Sequence, residues 1–168
     1  ETLRDALRAS GAKAEATALD ITDLAATAAM VAAHGPFDIL VNSAGLARHA
    51  PALDTTPEDY DAAMNLNLRA AYFLTREVAR GLIATGKPGS LINVSSQMGH
   101  VGGPDRAVYC ATKAGLRSYT MALRAQLAVV DPADADGAAA QQLCLCVALL
   151  RFQERGLLDC HGRTTRFH

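Results

Sequence analysis

The spacing of apolar and polar residues alternates between a helical period and short, continuous apolar runs. A helical period predicts amphipathic helices, and short apolar runs bounded by turn residues predict buried strands. Capping residues mark two helix starts: Thr22 or Asp23 for one, and Thr56 followed by Pro57 for another. The predicted helices are 1–9, 22–33, 57–83 and 107–128, and the predicted strands are 14–19, 37–45 and 89–96.

This alternation of strands and helices predicts an α/β fold with a parallel sheet. Ligands bind such sheets at the carboxyl ends of the strands. Polar or small residues stand at those ends here, at Asp20, at 42–45 and at Ser95-Ser96. The sequence therefore predicts a binding site at this edge, before any likeness to known proteins is considered.

The composition changes beyond residue 130. We expect one domain over residues 1–130 and a divergent tail over 131–168, made of loop plus one short element. Within that tail, residues 141–156 fit a helix or a strand equally well, and residues 162–168 have a disordered composition.

Charge and cysteine usage exclude several classes of protein. A net charge of −1 and a pI of about 6.6 give no reason to expect nucleic acid or an anionic membrane as a partner. No apolar run approaches the roughly 18 residues of a membrane span, and the first residues do not resemble a secretory signal. The four cysteines match no zinc-binding spacing, so we expect reduced thiols, a cytoplasmic protein and no metal site.

The segment VYCATKAG places Tyr109 and Lys113 four positions apart, on one face of a predicted helix. A cation beside a phenol favours the ionised form, which suits a tyrosine that acts as a general acid or base. Such a pair is also common as two solvated surface neighbours. The spacing alone leaves both interpretations open.

Five short motifs favour the catalytic interpretation of this pair: LDITD (19–23), VNSAG (41–45), NLNL (65–68), INVSSQMG (92–99) and YCATK (109–113). In order and spacing they resemble the short-chain dehydrogenase/reductase family over about residues 15–125. Ser96 lies 13 residues before Tyr109, as the family's catalytic serine does. The resemblance implies a partial Rossmann-type sheet built from the family's strands 3, 4 and 5, with flanking helices.

The resemblance also implies residue roles. Tyr109 would be the general acid/base, Lys113 would assist it and hold the nicotinamide ribose, Ser96 would orient the substrate oxygen, and Asn67 would hold a water for proton relay. The implied NAD or NADP site comprises Asp20, Ile21, Asn42, Ala44, Gly45, Tyr109 and Lys113. The implied substrate contacts are Met98, His100 and Val101. Ser95 fits a purely structural role, and Asp20 also fits the role of an ordinary strand-end or capping residue.

The Gly-rich turn with which the family binds the cofactor pyrophosphate does not occur in this sequence, and neither does the first βαβ unit that carries it. Without its family neighbours, the predicted strand 14–19 has three options. It pairs with the next strand, recruits the tail, or stays unpaired.

We therefore expect an NAD(P)-dependent oxidoreductase that interconverts a ketone and a secondary alcohol. The resemblance extends to carbonyl, xylulose and 3-oxoacyl-carrier-protein reductases, and implies a small-molecule substrate and a homo-oligomer formed through helices 57–83 and 107–128. The alternatives are a truncated, non-catalytic fragment or pseudoenzyme that acts only through helix-mediated association, and a binding module of Rossmann type.

Overall fold

A computed structural model describes residues 2–128, 143–150, 157–158 and 164–165 of the chain, with side chains for residues 2–127. The helices are α1 (Leu3–Ala9), α2 (Leu24–His34), α3 (Pro57–Met64), a π-helical segment (Asn65–Ala70), α4 (Ala71–Ala84), a 3₁₀ turn (Gln97–Gly99) and α5 (Ala107–Ala128). The strands are β1 (Ile39–Asn42), β2 (Gly89–Ser96), β3 (Leu143–Leu150), β4 (Leu157–Leu158) and β5 (Thr164–Thr165).

The main sheet has three parallel strands in the order β1-β2-β3. Ile39 pairs with Ser90 at one edge of β2, and Gly89 pairs with Leu143 at the other. The predicted α/β class with a parallel sheet is confirmed. A short antiparallel pair, β4 with β5, follows in the tail.

The predicted strand over residues 14–19 is wrong, because this segment joins no sheet in the structure. Four of its six side chains, from Glu15 to Ala18, are exposed. Small alanine side chains bury too little apolar area to offset the entropy of ordering a strand. The segment is unpaired, and β2 instead pairs with β3 from the tail.

Three strands occur among the described residues of the tail, where one short element was expected. The predicted loop over 131–140 and the predicted disorder over 162–168 lie largely outside the described residues. The domain boundary at residue 130 stays a prediction.

The caps predicted from sequence hold two helices. The Asp23 side chain accepts hydrogen bonds from the amides of Ala25 and Ala26, each at 3.0 Å, and starts α2. Thr56 accepts one from Asp59 N–H at 3.2 Å, with Pro57 in the first turn of α3. The helix predicted over 57–83 ends one residue later and is wound as a π-helix over its middle, Asn65–Ala70.

The helices α2, α4 and α5 pack on one face of the sheet. The apolar core is formed by Val31, Leu74, Val78, Ala79, Leu82 and Leu91. A buried polar chain crosses it: Thr75 Oγ1 donates to Asn93 Oδ1, and Asn93 Nδ2 donates to Thr120 Oγ1, each at 3.1 Å. This chain of hydrogen bonds ties α4, β2 and α5 together.

The opposite face of β1 is open in the part of the chain that the structure describes. Ile39 and Val41 are 65% and 59% exposed, whereas Asn42, which points to the helices, is 5% exposed. None of the described helices is both long enough and apolar enough to cross a membrane.

Candidate active site

Three segments carry the predicted site residues to one edge of the sheet. They are the loop that follows β1, the 3₁₀ turn that follows β2, and the first turns of α5. Both strands are parallel, so their carboxyl ends lie side by side, as the sequence predicted. Hydrogen bonds between side chains and backbone hold these segments against one another.

Asn67 joins two of these segments. Its Oδ1 accepts a hydrogen bond from Leu46 N–H at 2.7 Å, and its Nδ2 donates to the Leu46 carbonyl at 2.7 Å. The same Nδ2 donates to Thr112 Oγ1 of α5 at 3.2 Å, and Thr112 in turn donates to the Tyr109 carbonyl at 2.8 Å. Asn67 is 1% exposed, its bond to Thr112 is buried and its two bonds to Leu46 are partly buried. Water competes weakly for such contacts.

The π-helical segment accounts for the position of Asn67. The extra residue of a π turn changes the direction in which the following side chains point. Asn65, two positions earlier, is exposed, whereas Asn67 points inward to the loop and α5. Of the two asparagines in this segment, only Asn67 thus makes side-chain contacts with the site.

Lys113 lies behind Tyr109 on the same helix face. Its Nζ is 5.8 Å from the centroid of the Tyr109 ring and donates to the Val94 carbonyl at 2.9 Å. The side chain is 6% exposed, and this burial lowers the pKa of Lys113 below the usual 10.5. An ammonium has three donor hydrogens, so the bond to Val94 leaves others for a ligand.

The two serines that end β2 have different partners. Ser95 is buried and donates to the Lys113 carbonyl at 3.0 Å, which is a structural contact between β2 and α5. Ser96 Oγ accepts a hydrogen bond from Met98 N–H at 3.2 Å and starts the 3₁₀ turn. Because that hydroxyl is used as an acceptor, its own hydrogen remains available to a ligand oxygen.

Gly99 allows the 3₁₀ turn to lie directly against α5. A Cβ at Gly99 would stand 2.8 Å from the Lys113 carbonyl oxygen and 3.0 Å from Ser95 Oγ, closer than any side chain tolerates. The turn that carries Ser96 and Met98 is therefore seated on the helix that carries Tyr109 and Lys113.

Tyr109 and Ser96 open into one cleft of about 170 Å³. Its lining residues are Ala47, His49, Ser96, Gln97, Met98, Arg106 and Tyr109. The His49 ring meets the Tyr109 ring edge-on, with centroids 6.2 Å apart. Of the three predicted substrate contacts, Met98 lines the cleft, whereas His100 and Val101 are exposed and lie outside its lining.

The predicted cofactor residues before α5 are more open. Ala44 and Gly45 are exposed, and Asn42 is buried with its Nδ2 donating to the Ala71 carbonyl at 3.3 Å. Asp20 is exposed and accepts from the hydroxyl and the amide of Thr22, at 2.7 and 2.9 Å. These two bonds, the hydroxyl first, lower the pKa of Asp20.

Ile21, the last of these positions, packs with its side chain against the core, while its carbonyl accepts from Thr27 Oγ1 at 3.4 Å. The Asp20 side chain thus already serves the turn before α2, which agrees with its capping interpretation and leaves its role towards a cofactor a prediction.

Comparison with known proteins identifies the family. A family model described as short chain dehydrogenase matches residues 1–131. The chain belongs to the short-chain dehydrogenase family. Its sequence-based recognition is confirmed, and with it the α/β architecture of Rossmann type.

Curated members of the short-chain dehydrogenase family are similar over about two thirds of the chain. L-xylulose reductase of Bos taurus is 42% identical over 113 residues, which cover 67% of this chain and 46% of that protein. Sorbitol dehydrogenase of Cereibacter sphaeroides is 42% identical over 114 residues, which cover 66% and 44%. The chain thus spans about half the length of these relatives.

A solved structure has a similar fold. Gluconate 5-dehydrogenase from Burkholderia cenocepacia, in complex with NADP and tartrate, superimposes with a TM-score of 0.74 at 30% identity, covering 88% of this chain and 55% of that one. The relatives named here are reductases and dehydrogenases, so the chain is that of an enzyme family.

Sequence reasoning missed four participants in the site. Thr112 and the Val94 carbonyl hold Asn67 and Lys113, but contacts between residues far apart in sequence leave no local pattern. His49 and Arg106 line the cleft but belong to none of the five motifs. The one available signal was the position of Arg106 three residues before Tyr109, because residues i and i+3 lie near the same side of a helix.

Proposed function

We propose that the chain carries the acid–base site of an NAD(P)-dependent oxidoreductase that interconverts a ketone and a secondary alcohol. The observation that carries this proposal is the cleft that Tyr109 and Ser96 share, with the Lys113 ammonium 5.8 Å behind the Tyr109 ring. Membership of the short-chain dehydrogenase family and similarity to proteins named as reductases support the same reaction class.

Each side chain has a distinct task in this proposal. Ser96 donates its hydroxyl hydrogen to the substrate oxygen and holds it beside the phenol. Tyr109 transfers its proton to that oxygen during reduction and recovers it during oxidation. Lys113 stabilises the phenolate that remains, because an opposite charge nearby favours the ionised form. Asn67 keeps the loop after β1 and helix α5 at a fixed separation. In this proposal it also holds a water molecule that relays protons.

Bound NAD(P)H supplies the hydride. The space beside Gly45 supports a fit for its nicotinamide end: a Cβ there would stand 3.7 Å from Lys113 Nζ and 3.6 Å from Asn67 Oδ1. Any side chain at this position would fill the gap beside the ammonium. The free donor hydrogens of Lys113 suit ribose hydroxyls, and exposed Ala44 and Gly45 allow close backbone approach.

The substrate class follows from two groups of relatives. Those similar in sequence are named for neutral polyhydroxy substrates, xylulose, erythrulose and sorbitol. The solved structure similar in fold is named for gluconate, a sugar acid. We propose a small polyhydroxy ketone or alcohol as the substrate of this chain, in the cytoplasm.

The test is oxidation of NADH or NADPH by the chain in the presence of L-xylulose and, in a separate assay, of 5-keto-gluconate, measured as the loss of reduced-nicotinamide absorbance. Tyr109→Phe removes only the phenolic oxygen and should lower the rate by about a hundredfold or more. Tyr60→Phe is the matched control, because Tyr60 is 45% exposed on α3, outside the cleft, and it should retain the rate. Equal rates in wild type and Tyr109→Phe would contradict the proposal, and so would a wild type that turns over neither ketone with either cofactor.

A second candidate function, self-association without catalysis, is favoured by a separate observation. An apolar surface cleft of about 690 Å³ lies between the α3–α4 region and α5, the two helices through which the sequence predicts a homo-oligomer. Its apolar lining includes Met64, Leu68, Tyr72, Phe73 and Ala122. Leu68 packs there against Gly115, where a Cβ would stand 3.1 Å from it.

Size-exclusion chromatography with light scattering tests this second candidate. Phe73→Glu places a carboxylate between Arg69 and Arg76, whose guanidinium carbons lie 5.6 and 4.5 Å from the ring centroid, so the variant should fold and become monomeric. Met121→Glu alters an exposed apolar residue outside the cleft and should leave the homo-oligomer intact. A monomeric wild type would contradict self-association.

A further inference from the structure

The cleft at Tyr109 continues into a second one. A neighbouring cleft of about 420 Å³ is lined by His49, Met98, Gly103, Pro104, Asp105 and Arg106. The two clefts share His49, Met98 and Arg106. They therefore form one trough, which begins at Ser96 and Tyr109 and leads outward past Arg106.

Arg106 brings a permanent positive charge to this trough. Among residues 2–127 its guanidinium forms no ion pair and no side-chain hydrogen bond, whereas five other arginines pair with carboxylates. Arg69, Arg117 and Arg124 also lack ion pairs within that range, but all three lie outside both linings. Arg69 stands over the Phe73 ring, and the other two follow Tyr109 on α5. The acidic side chain closest in sequence, Asp105, lines the outer cleft without an ion pair to Arg106.

The backbone around Arg106 fixes where this charge stands. The Arg106 carbonyl accepts a hydrogen bond from Cys110 N–H at 2.8 Å, which places the residue at the start of α5. The preceding residue is anchored to the loop of His49, since Ala50 N–H donates to the Asp105 carbonyl at 3.1 Å. The side-chain stem passes Gly103, where a Cβ would lie 3.5 Å from Arg106 Cδ and 3.1 Å from Met98 Sδ.

The distance from Arg106 to Tyr109 sets the substrate's size. Side chains three residues apart at one helix face have Cβ atoms about 5–6 Å apart. A substrate oxygen held by Tyr109 and Ser96 thus leaves room for a short carbon chain whose far end meets the guanidinium. That guanidinium matches the planar, two-oxygen geometry of a carboxylate or a phosphate.

We propose that Arg106, with His49 beside it, binds the carboxylate or phosphate group of an acidic polyhydroxy substrate whose carbonyl lies at Tyr109. This inference rests on the proposed function and decides between the two substrate groups left open there. It places the reaction among those of sugar acids or sugar phosphates rather than of neutral ketoses.

Ligand-observed saturation-transfer NMR with the whole chain tests this without requiring turnover. The ligands are 5-keto-gluconate, xylulose 5-phosphate and neutral L-xylulose. At least one anionic ligand should bind about tenfold or more tightly than L-xylulose, as a charge-assisted contact predicts. The stronger of the two anionic ligands identifies the natural group as carboxylate or phosphate.

Two variants assign the effect to the trough. Arg106→Gln should remove the preference for the anion, and Arg117→Gln, an exposed arginine farther along α5, should retain it. Three ligands that bind alike would overturn the inference, and so would a preference that survives in Arg106→Gln or the absence of any binding.

Tyr109→Phe separates this inference from the proposed function. That variant loses the acid–base group but keeps Arg106, so it should still prefer the anionic ligand. An anion preference without turnover of L-xylulose or of 5-keto-gluconate in wild type would overturn the proposed function alone. Turnover of L-xylulose without any anion preference would overturn the present inference alone.

Discussion

The candidate site has two halves that are built in different ways. The acid–base half, consisting of Asn67, Ser96, Tyr109 and Lys113, is held by contacts that join distant segments of the chain. The nucleotide half, consisting of Asp20, Ile21, Asn42, Ala44 and Gly45, has exposed residues at Asp20, Ala44 and Gly45 and one buried polar side chain, Asn42, which bonds to the Ala71 carbonyl. The Asp20 side chain bonds to Thr22, two residues away.

The two halves differ in how many of their polar side chains are buried. Asn67 and Lys113 are 1% and 6% exposed, and their hydrogen bonds fix the loop after β1 and the start of α5 against β2. Buried polar groups with complete partners rigidify a site, because leaving any of them unpaired is costly. The acid–base half is therefore preorganised within the described residues, whereas fewer buried polar contacts hold the nucleotide half.

The largest effect should come from Asn67→Leu, which leaves the amide and carbonyl of Leu46 without their partner. We expect a loss of about 3 kcal/mol in the free energy of unfolding, because two part-buried backbone groups would lose their partner and a packed side chain would be replaced. Asn65→Leu is the matched control in the same π-helical segment; Asn65 is exposed and should change stability little. Urea denaturation of both variants measures the difference. Similar losses of stability in Asn67→Leu and Asn65→Leu would show that the buried contacts of Asn67 do not stabilise the acid–base half.

Lys113→Met should lower turnover by about a hundredfold, since the phenolate of Tyr109 would lose its cation. In wild type, burial lowers the pKa of Lys113, so the charge and the activity should disappear as pH rises, at a lower pH than the usual 10.5. The pH–rate profile measures this alkaline limb.

Stability should change with pH in the opposite sense. Below the lowered pKa, the folded chain bears the cost of a buried charge; above it, the folded state has released a proton that the unfolded state still binds. Wild type should therefore gain stability relative to Lys113→Met as pH rises towards 10.5. A stability difference that is flat over this range would show that Lys113 is not desolvated.

A smaller effect is expected for Ser95→Ala, which removes the hydrogen bond to the Lys113 carbonyl. The free energy of unfolding should fall by about 1 kcal/mol, with turnover reduced less than in Ser96→Ala. Ser96→Ala should change stability less and turnover more, because its hydroxyl faces the cleft. Thermal unfolding and rate measurements on both variants test this. A larger loss of turnover in Ser95→Ala, or a larger loss of stability in Ser96→Ala, would contradict the assignment.

The smallest effect belongs to the nucleotide half. Asp20→Asn keeps an acceptor for Thr22 on an exposed turn, so the unfolding midpoint at neutral pH should not change measurably. Because hydrogen bonds lower the pKa of Asp20, its ionic contribution is present above the ordinary 3.8 and lost as pH falls through the lower, folded value. A clear destabilisation of Asp20→Asn at pH 7 would show that side-chain contacts also stabilise the nucleotide half.

Local signals in the sequence predicted what depends on neighbours along the chain. Asp23 and Thr56 started their helices as predicted, and α5 has the predicted bounds. The strand over 14–19 failed because its alternation of small residues fits a strand that has a partner, and the partner is a property of the fold. The bond from Lys113 to the Val94 carbonyl, 19 residues away, likewise depends on packing.

The most direct test of the central claim is a titration of the chain with reduced nicotinamide mononucleotide and with NADPH, observed by nicotinamide fluorescence. If the acid–base half is preformed and holds the nicotinamide end, both ligands should give a saturable change that Lys113→Met abolishes. No change at millimolar ligand, or the same change in Lys113→Met, would contradict the account.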